Sequence, residues 1–269
     1  MLKSLLKKES ENDSKNNKSG KNCSHPMQPN KRRTIATAVM IAAALSMTAT
    51  LVPANQAFAD DGNGMVVPMY GWDAGWDDII NAKEENEGTE IIVVINPSSG
   101  PGSEDSHWAD VADDLQDAGI KVTGYVATSY AGRSEGDVKN DIDSYYDWYD
   151  LDGVFLDEVS TSDQGYYEEL RDYAENPEGS QTVILNPGAP VPESYEDAGD
   201  IIIVYENSGS PSGVESNGIS ESKLGALPYG HEPSESEYKE LTDSVGYLYI
   251  SPDWMSVASN VDDQADWAD

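Results

Sequence analysis

Eight apolar runs of strand length, separated by acidic stretches with helical spacing, constrain this chain more than any other feature. The runs lie near residues 65–70, 91–96, 120–126, 153–158, 182–186, 200–206, 224–229 and 245–250. Ile91–Ile95 and Ile201–Val204 are continuous and β-branched, the pattern of strands covered on both faces in a parallel sheet. Amphipathic stretches near 73–86, 104–118, 135–149, 163–175, 190–198, 234–243 and 253–266 alternate with them. Trp108, Val111, Ala112 and Leu115 fall at helical spacing, and Gly119 stands where a helix C-terminus takes glycine. This alternation through about 210 residues predicts an α/β fold, a single compact (β/α)8 TIM-type barrel. An open doubly wound sheet is the alternative, but no Gly-rich dinucleotide fingerprint follows the first strand. The Ser/Gly/Pro/Asn-rich interval 207–222 is expected to be a loop over the C-terminal face.

The N-terminal part reads differently. Residues 1–30 are Lys/Asn/Ser-rich without apolar periodicity, a disordered extension. Lys31-Arg32-Arg33, an Ala-rich apolar run from Thr34 to about Pro53, and Ala57-Phe58-Ala59 form the three regions of a secretory signal peptide. The expected domain order is extension 1–30, signal peptide 31–59 with cleavage near Ala59, and barrel 60–269, a secreted protein. A membrane anchor is the alternative for the apolar run. Cys23, the one cysteine, lies in the presequence, so the barrel is expected to have neither disulfide nor thiol chemistry.

Residues 1–59 hold nine of the 16 Lys+Arg but three of the 50 Asp+Glu, which leaves the remainder with 7 basic and 47 acidic side chains and a formal net charge of −40. Such a charge repels nucleic acid and anionic membranes, so neither is an expected partner. It suits a halophilic source, where salt screens the self-repulsion, and it would also suit a polycationic substrate such as a partly deacetylated amino-sugar polymer.

Several of these strands end in a carboxylate or an amide. Val154-Phe155-Leu156 runs into Asp157-Glu158, Ile201–Tyr205 into Glu206, and Ile91–Ile95 into Asn96-Pro97-Ser98-Ser99-Gly100-Pro101-Gly102. C-terminal strand ends of a parallel barrel converge on one face, where its chemistry is done. Two acids from different strands in one cleft are the minimum for cleaving a glycosidic bond, by retention or by inversion according to their separation. Asp157 is in phase with Phe155, and Glu158 with Leu156, so the pair shares one cleft only if the strand ends there. The Asn96 turn reads as a rigid βα connection that also offers the Asn96 amide and the Ser98 and Ser99 hydroxyls to a sugar. Tyr and Trp number 15 and 6 against two Phe, and Tyr70, Trp72, Tyr125, Tyr130, Tyr205 and Tyr229 lie at or just beyond strand ends, where rings can stack on sugars. His107 and His231 do not form a zinc motif, no EF-hand pattern occurs, and Gly-x-Ser-x-Gly is absent, so neither a metal nor a cofactor is expected.

Four ordered motifs carry a resemblance: Asn96–Gly102, Gly124–Tyr130, Gly153–Glu158 and Asn186-Pro187-Gly188. Together they resemble the spherulation-specific family 4 (spherulin-4-like) proteins. The resemblance implies a (β/α)8 fold and, from fungal members, endo-acting α-1,4-N-acetylgalactosaminidase activity on galactosaminogalactan. It places the acidic centre on Asp157, Glu158 and Glu206, with Asp157 as nucleophile or charge stabiliser, Glu206 as general acid/base and Glu158 in support. Tyr70, Asn96, Ser98, Ser99, Tyr125, Tyr130 and Asn186 are the expected substrate contacts. The turn reads Asn-Pro-Ser-Ser where the family commonly has Asn-Pro-Asn-Ser, a departure at Ser98. A secreted, monomeric glycoside hydrolase with a polysaccharide substrate is therefore expected, and a non-catalytic carbohydrate-binding, cell-surface or stress protein on the same barrel is the alternative.

Overall fold

Chain segments buried on both faces become the wall of the barrel, and acidic amphipathic segments its outer layer. The computed structural model describes residues 63–72, 75–175, 181–252 and 261–268. The expected extension, the signal peptide, Cys23 and the 253–260 part of the last predicted helix lie outside them. Strands β1 (Met65–Met69), β2 (Ile91–Ile95), β3 (Lys121–Ala127), β4 (Gly153–Asp157), β5 (Thr182–Leu185), β6 (Ile201–Ser208), β7 (Leu224–Tyr229) and β8 (Tyr247–Leu248) form one parallel sheet in sequence order. Closure between β8 and β1 runs through Gly64, whose carbonyl accepts from the Leu248 N–H at 3.0 Å and which bridges Tyr247. A Cβ at Gly64 would sit 2.4 Å from the Tyr247 ring, so only glycine lets the strands meet.

Helices α1 (Trp76–Glu85), α2 (Ser106–Asp117), α3 (Glu135–Tyr149), α4 (Gln164–Ala174), α5 (Glu235–Thr242) and α6 (Val261–Ala268) follow the predicted stretches. Their starts are marked in the sequence. Asp105 caps the His107 N–H at 2.9 Å, and Ser134 caps that of Asp137 at 3.2 Å. Each helix turns its apolar stripe inward; Trp108, Val111, Ala112 and Leu115 of α2 are all buried. The eight-stranded, helix-covered barrel is the predicted fold.

Two expectations fail. Stretch 190–198 is not an α-helix but one 3-10 turn, Glu193–Asp197, because Pro190 and Pro192 stand at its start and leave too few residues to nucleate a helix. The interval 207–222 is not wholly loop: Asn207 and Ser208 complete β6, and the Gly209 N–H donates to the Tyr229 carbonyl at 2.9 Å at the C-terminal end of β7. The rest takes the place of a helix, with the Asn217 amide donating to the Val191 carbonyl at 3.1 Å and Ile219 buried.

Acids at the other end of the barrel are structural. Asp152, one residue before β4, accepts from the Val122 N–H at 2.8 Å. Asp200, just before β6, does the same for Val183 at 2.8 Å and holds Arg171 of α4 at 2.6 Å. These carboxylates cap backbone donors at the starts of the neighbouring strands.

Candidate active site

Register decides which strand-end side chains meet. Residues paired across parallel strands share a face, and Tyr125, Phe155 and Ile184 are paired in turn across β3, β4 and β5. Asp157 and Asn186, each two residues further along, therefore point the same way. The complementary pairing of Met69, Ile95 and Gly124 puts Tyr70 and Asn96 on that inner face too. Strict alternation from Ile201, the partner of Ile184, would turn Glu206 outward. A β-bulge between Ile203 and Tyr205 inserts one residue in β6 and brings Glu206 in. The result is a cavity of about 510 Å³ lined by Tyr70, Asn96, Tyr125, Tyr130, Asp157, Glu158, Asn186, Pro187, Gly188 and Glu206.

Glu158 joins the cavity because the strand stops at it. Its φ of 54° is left-handed, which breaks the alternation that would have sent it outward with Leu156. Its carbonyl accepts from the Tyr130 N–H at 2.7 Å and from the Thr128 hydroxyl at 2.9 Å. Ser129, Tyr130 and Ala131 are left-handed as well, with φ of 50°, 55° and 63°. Three such non-glycine residues in succession cost about 1–2 kcal/mol each. The turn is held by the Gly132 N–H donating to the Ser129 carbonyl at 2.9 Å and by Arg133, whose guanidinium donates to the Ala127 carbonyl at 2.7 Å. Strain of this kind marks functional sites, and here it presents Tyr130 at the cavity, 66% exposed.

One amide joins the two principal acids. Asn186 Nδ2 donates to Asp157 Oδ1 at 2.8 Å and to Glu206 Oε2 at 2.5 Å. Those oxygens are thus at most about 5.3 Å apart, the two hydrogen bonds laid end to end. The amide orientation follows from the partners, since the opposite one would set Oδ1 against two carboxylates. Asn186 Oδ1 is buried and has no partner among the described residues. Asp157 also accepts from the Tyr125 hydroxyl at 2.6 Å.

These surroundings separate the acids chemically. Burial raises the pKa of Asp157 and the Glu158 charge adds to the rise, while hydrogen bonds from Tyr125, the Glu158 backbone and Asn186 pull it back. Burial also raises Glu206, which has only the Asn186 donor to oppose it and the Asp157 charge to push it further. Asp157 thus accepts from three donors and Glu206 from one, an asymmetry that favours the ionised form at Asp157 over that at Glu206. Burial and both charges hold the Tyr70 hydroxyl well above its ordinary pKa, so it stays a neutral donor.

Of the expected contacts, Tyr70, Asn96, Tyr125, Tyr130 and Asn186 meet the three acids around the cavity. Asn96 Oδ1 is taken by the Gly100 N–H at 3.0 Å, which leaves its NH2 for other partners. Ser98 and Ser99 do not line the cavity: the turn folds on itself, the Ser98 N–H donating to the Gly100 carbonyl at 3.0 Å, and both residues face solvent. Tyr205 lies on the other side of the bulge, its hydroxyl on the Gly209 carbonyl at 2.9 Å. Gly188, which the sequence presents as part of the Asn186-Pro187-Gly188 motif without a role of its own, also lines the cavity. Its φ of 60° and the 3.5 Å between a Cβ there and Glu206 Cβ make it the close neighbour of that acid. The signal for it was the Asn-Pro-Gly turn itself.

The sequence profile of spherulation-specific family 4 matches residues 64–266. The chain belongs to this family. Spherulin-4 of Physarum polycephalum is 39% identical over 152 residues, 54% of this chain and 45% of that protein, so the chain matches less than half of its relative's length. Among solved structures, Aspergillus clavatus Sph3, in complex with GalNAc, superposes with a TM-score of 0.67 at 24% identity over 77% of this chain and 98% of its own. α-L-fucosidase isoenzyme 2 from Paenibacillus thiaminolyticus gives 0.51 at 8% identity over 78% and 49%. The barrel of this family 4 member is thus shared with a protein crystallised with an amino sugar and with a glycosidase.

Proposed function

We propose that this chain is a glycoside hydrolase that cuts within an amino-sugar polysaccharide containing N-acetylgalactosamine or galactosamine. The observation that carries the proposal is the Asp157–Asn186–Glu206 bridge. It holds two buried carboxylates with unequal donor sets in one cavity, with their bridged oxygens within about 5.3 Å, close enough for the about 5–5.5 Å spacing that retaining enzymes use. Family membership and the likeness to a barrel solved with GalNAc support the sugar class.

In the mechanism this supports, Asp157 attacks the anomeric carbon as the bond to the leaving oxygen breaks, and Glu206 passes its proton to that oxygen. Water then gives a proton to Glu206 and its oxygen to the anomeric carbon, releasing Asp157. The Tyr125 hydroxyl and the Glu158 backbone N–H support the charge on Asp157. The same reading places the enzyme outside the cell as a monomer, where such polymers are met, with Lys31–Ala59 directing export.

The test is to incubate the protein and its Glu206→Gln variant with galactosaminogalactan and follow the products by mass spectrometry and NMR. Oligosaccharides from the wild type alone, whose new reducing ends first appear with the α configuration of the cleaved linkage, are expected. Products from both proteins would remove Glu206 from the mechanism. First appearance of the β-anomer would overturn Asp157 as nucleophile.

A further inference from the structure

Outside the cavity, the geometry points to Trp72 as a second sugar-binding platform, a subsite for a pyranose unit of the polymer some residues away from the bond cut. This rests on the reading of the cavity as a polysaccharide site.

Three large hydrophobic side chains are exposed among the described residues: Tyr130, Trp72 at 52% and Tyr173 at 36%. Tyr130 already lines the cavity. Tyr173 is engaged on the barrel's outside, its hydroxyl on Asp143 and Lys139 Nζ 5.3 Å from its ring centre. Trp72 remains, and it is held in place. His107 stacks on it at 4.0 Å with 17° between the planes. Its carbonyl accepts from Trp76 Nε1 at 3.4 Å and lies 3.2 Å from His107 Nε2.

Among the described residues, rings approach the indole on one face only. The buried Trp108 has its ring centre 5.9 Å from that of Trp72 and 5.4 Å from that of His107, steeply inclined to both. A ring capping the far face of Trp72 would lie much further from the imidazole, so Trp108 stands beside the stacked pair. The imidazole covers one face of the indole, and the half of its surface that is exposed belongs chiefly to the other.

Its place suits a chain leaving the cavity. Trp72 follows the lining residue Tyr70 by two positions, and its support, His107, stands in the first turn of α2, after the Asn96 turn. Tyr130 stands beyond β3, so exposed rings follow two different strands of the C-terminal face. The apolar C–H face of a pyranose stacks on such an indole, and an ammonium on a deacetylated unit adds cation–π attraction. Because the ring is already fixed, little side-chain freedom is lost on binding.

The test compares the full chain with Trp72→Ala and Trp72→Tyr, using a trimer and an octamer of α-1,4-linked N-acetylgalactosamine. Turnover is followed in the active background and affinity by calorimetry in the Glu206→Gln background. Trp72→Ala should lose about tenfold in affinity and kcat/KM for the octamer, a typical effect of one aromatic contact, with the trimer unchanged and Trp72→Tyr close to wild type. Equal loss on both lengths, or none on either, overturns the platform even if the wild type cleaves. Octamer binding that depends on Trp72 without any turnover would instead uphold the platform and remove the hydrolase reading. If neither turnover nor octamer binding is seen, both fall.

Discussion

With each amide proton of Asn186 given to a different carboxylate, the residue fixes both the spacing and the charge balance of the acids. Asn186→Leu keeps the approximate shape and removes both donors. Each hydrogen bond to a charged group is worth about 1.5–3 kcal/mol, so kcat should fall on the order of 10²-fold or more with a smaller change in KM. Tyr125→Phe removes a donor that lowers the Asp157 pKa, so the acid limb of the kcat/KM profile should move to higher pH while the basic limb stays. An acid limb that does not move would take Tyr125 out of the control of Asp157. Glu206 gives a prediction about stability. Its folded pKa is raised above the unfolded value, so the native state holds the proton more tightly and stability is lost as pH rises through the folded pKa. Glu206→Gln keeps an acceptor for Asn186 without the buried charge. Melting curves should therefore show the variant more stable than the wild type at pH 7, with the gap closing as the pH falls to the ordinary carboxylate range.

Strand elements were legible because burial on both faces writes a continuous β-branched run, as in Ile91–Ile95, and that run needs no periodicity to be read. The same property hid the bulge. In Ile201-Ile202-Ile203-Val204 every position is apolar, so the insertion that turns Glu206 inward leaves no mark on the pattern. The left-handed turn at Ser129–Ala131 contains no glycine and escaped for a similar reason, its conformation being imposed by contacts with Glu158 and Arg133. The Asn186 motif was visible, but its bridging role depends on a register between β4, β5 and β6 that no local signal encodes. Nor does an acid next to a strand declare its end of the barrel's work. Asp200 precedes β6 and Glu206 lies near its C-terminal end, and the two should respond oppositely to neutralisation. Asp200→Ala loses the Val183 cap and the Arg171 pair, and chemical denaturation should show it less stable by about 1–3 kcal/mol with kcat unchanged. Glu206→Gln should lose kcat and gain stability. A loss of kcat in Asp200→Ala would mean that this end of the barrel is coupled to the cavity.

At the scale of the whole molecule, the question is where the negative charge can go. All seven basic side chains beyond residue 59 are engaged. Lys121, Arg133, Lys139, Arg171 and Lys239 pair with carboxylates, and Lys83 and Lys223 donate to backbone carbonyls at 2.7–2.8 Å. Most of the 47 carboxylates therefore repel one another with only solvent ions to screen them. Screening lengths fall from about 10 Å at 0.1 M to about 3 Å at 1 M salt, so the melting temperature should climb steeply with NaCl over that range, whereas an equal osmolality of sucrose should not reproduce the climb. The same field would act on the proposed substrate with the opposite sign. A partly deacetylated, cationic polymer is attracted to this surface, and salt screens that attraction, so its kcat/KM should fall over the range in which the fold is gaining stability. A fully acetylated, neutral polymer should show no such fall. Parallel salt titrations of melting temperature and of kcat/KM on the two polymers check both halves. If both polymers respond alike, the acidic surface serves the fold and its solvation alone; if only the cationic one declines, it also draws the substrate to the cavity.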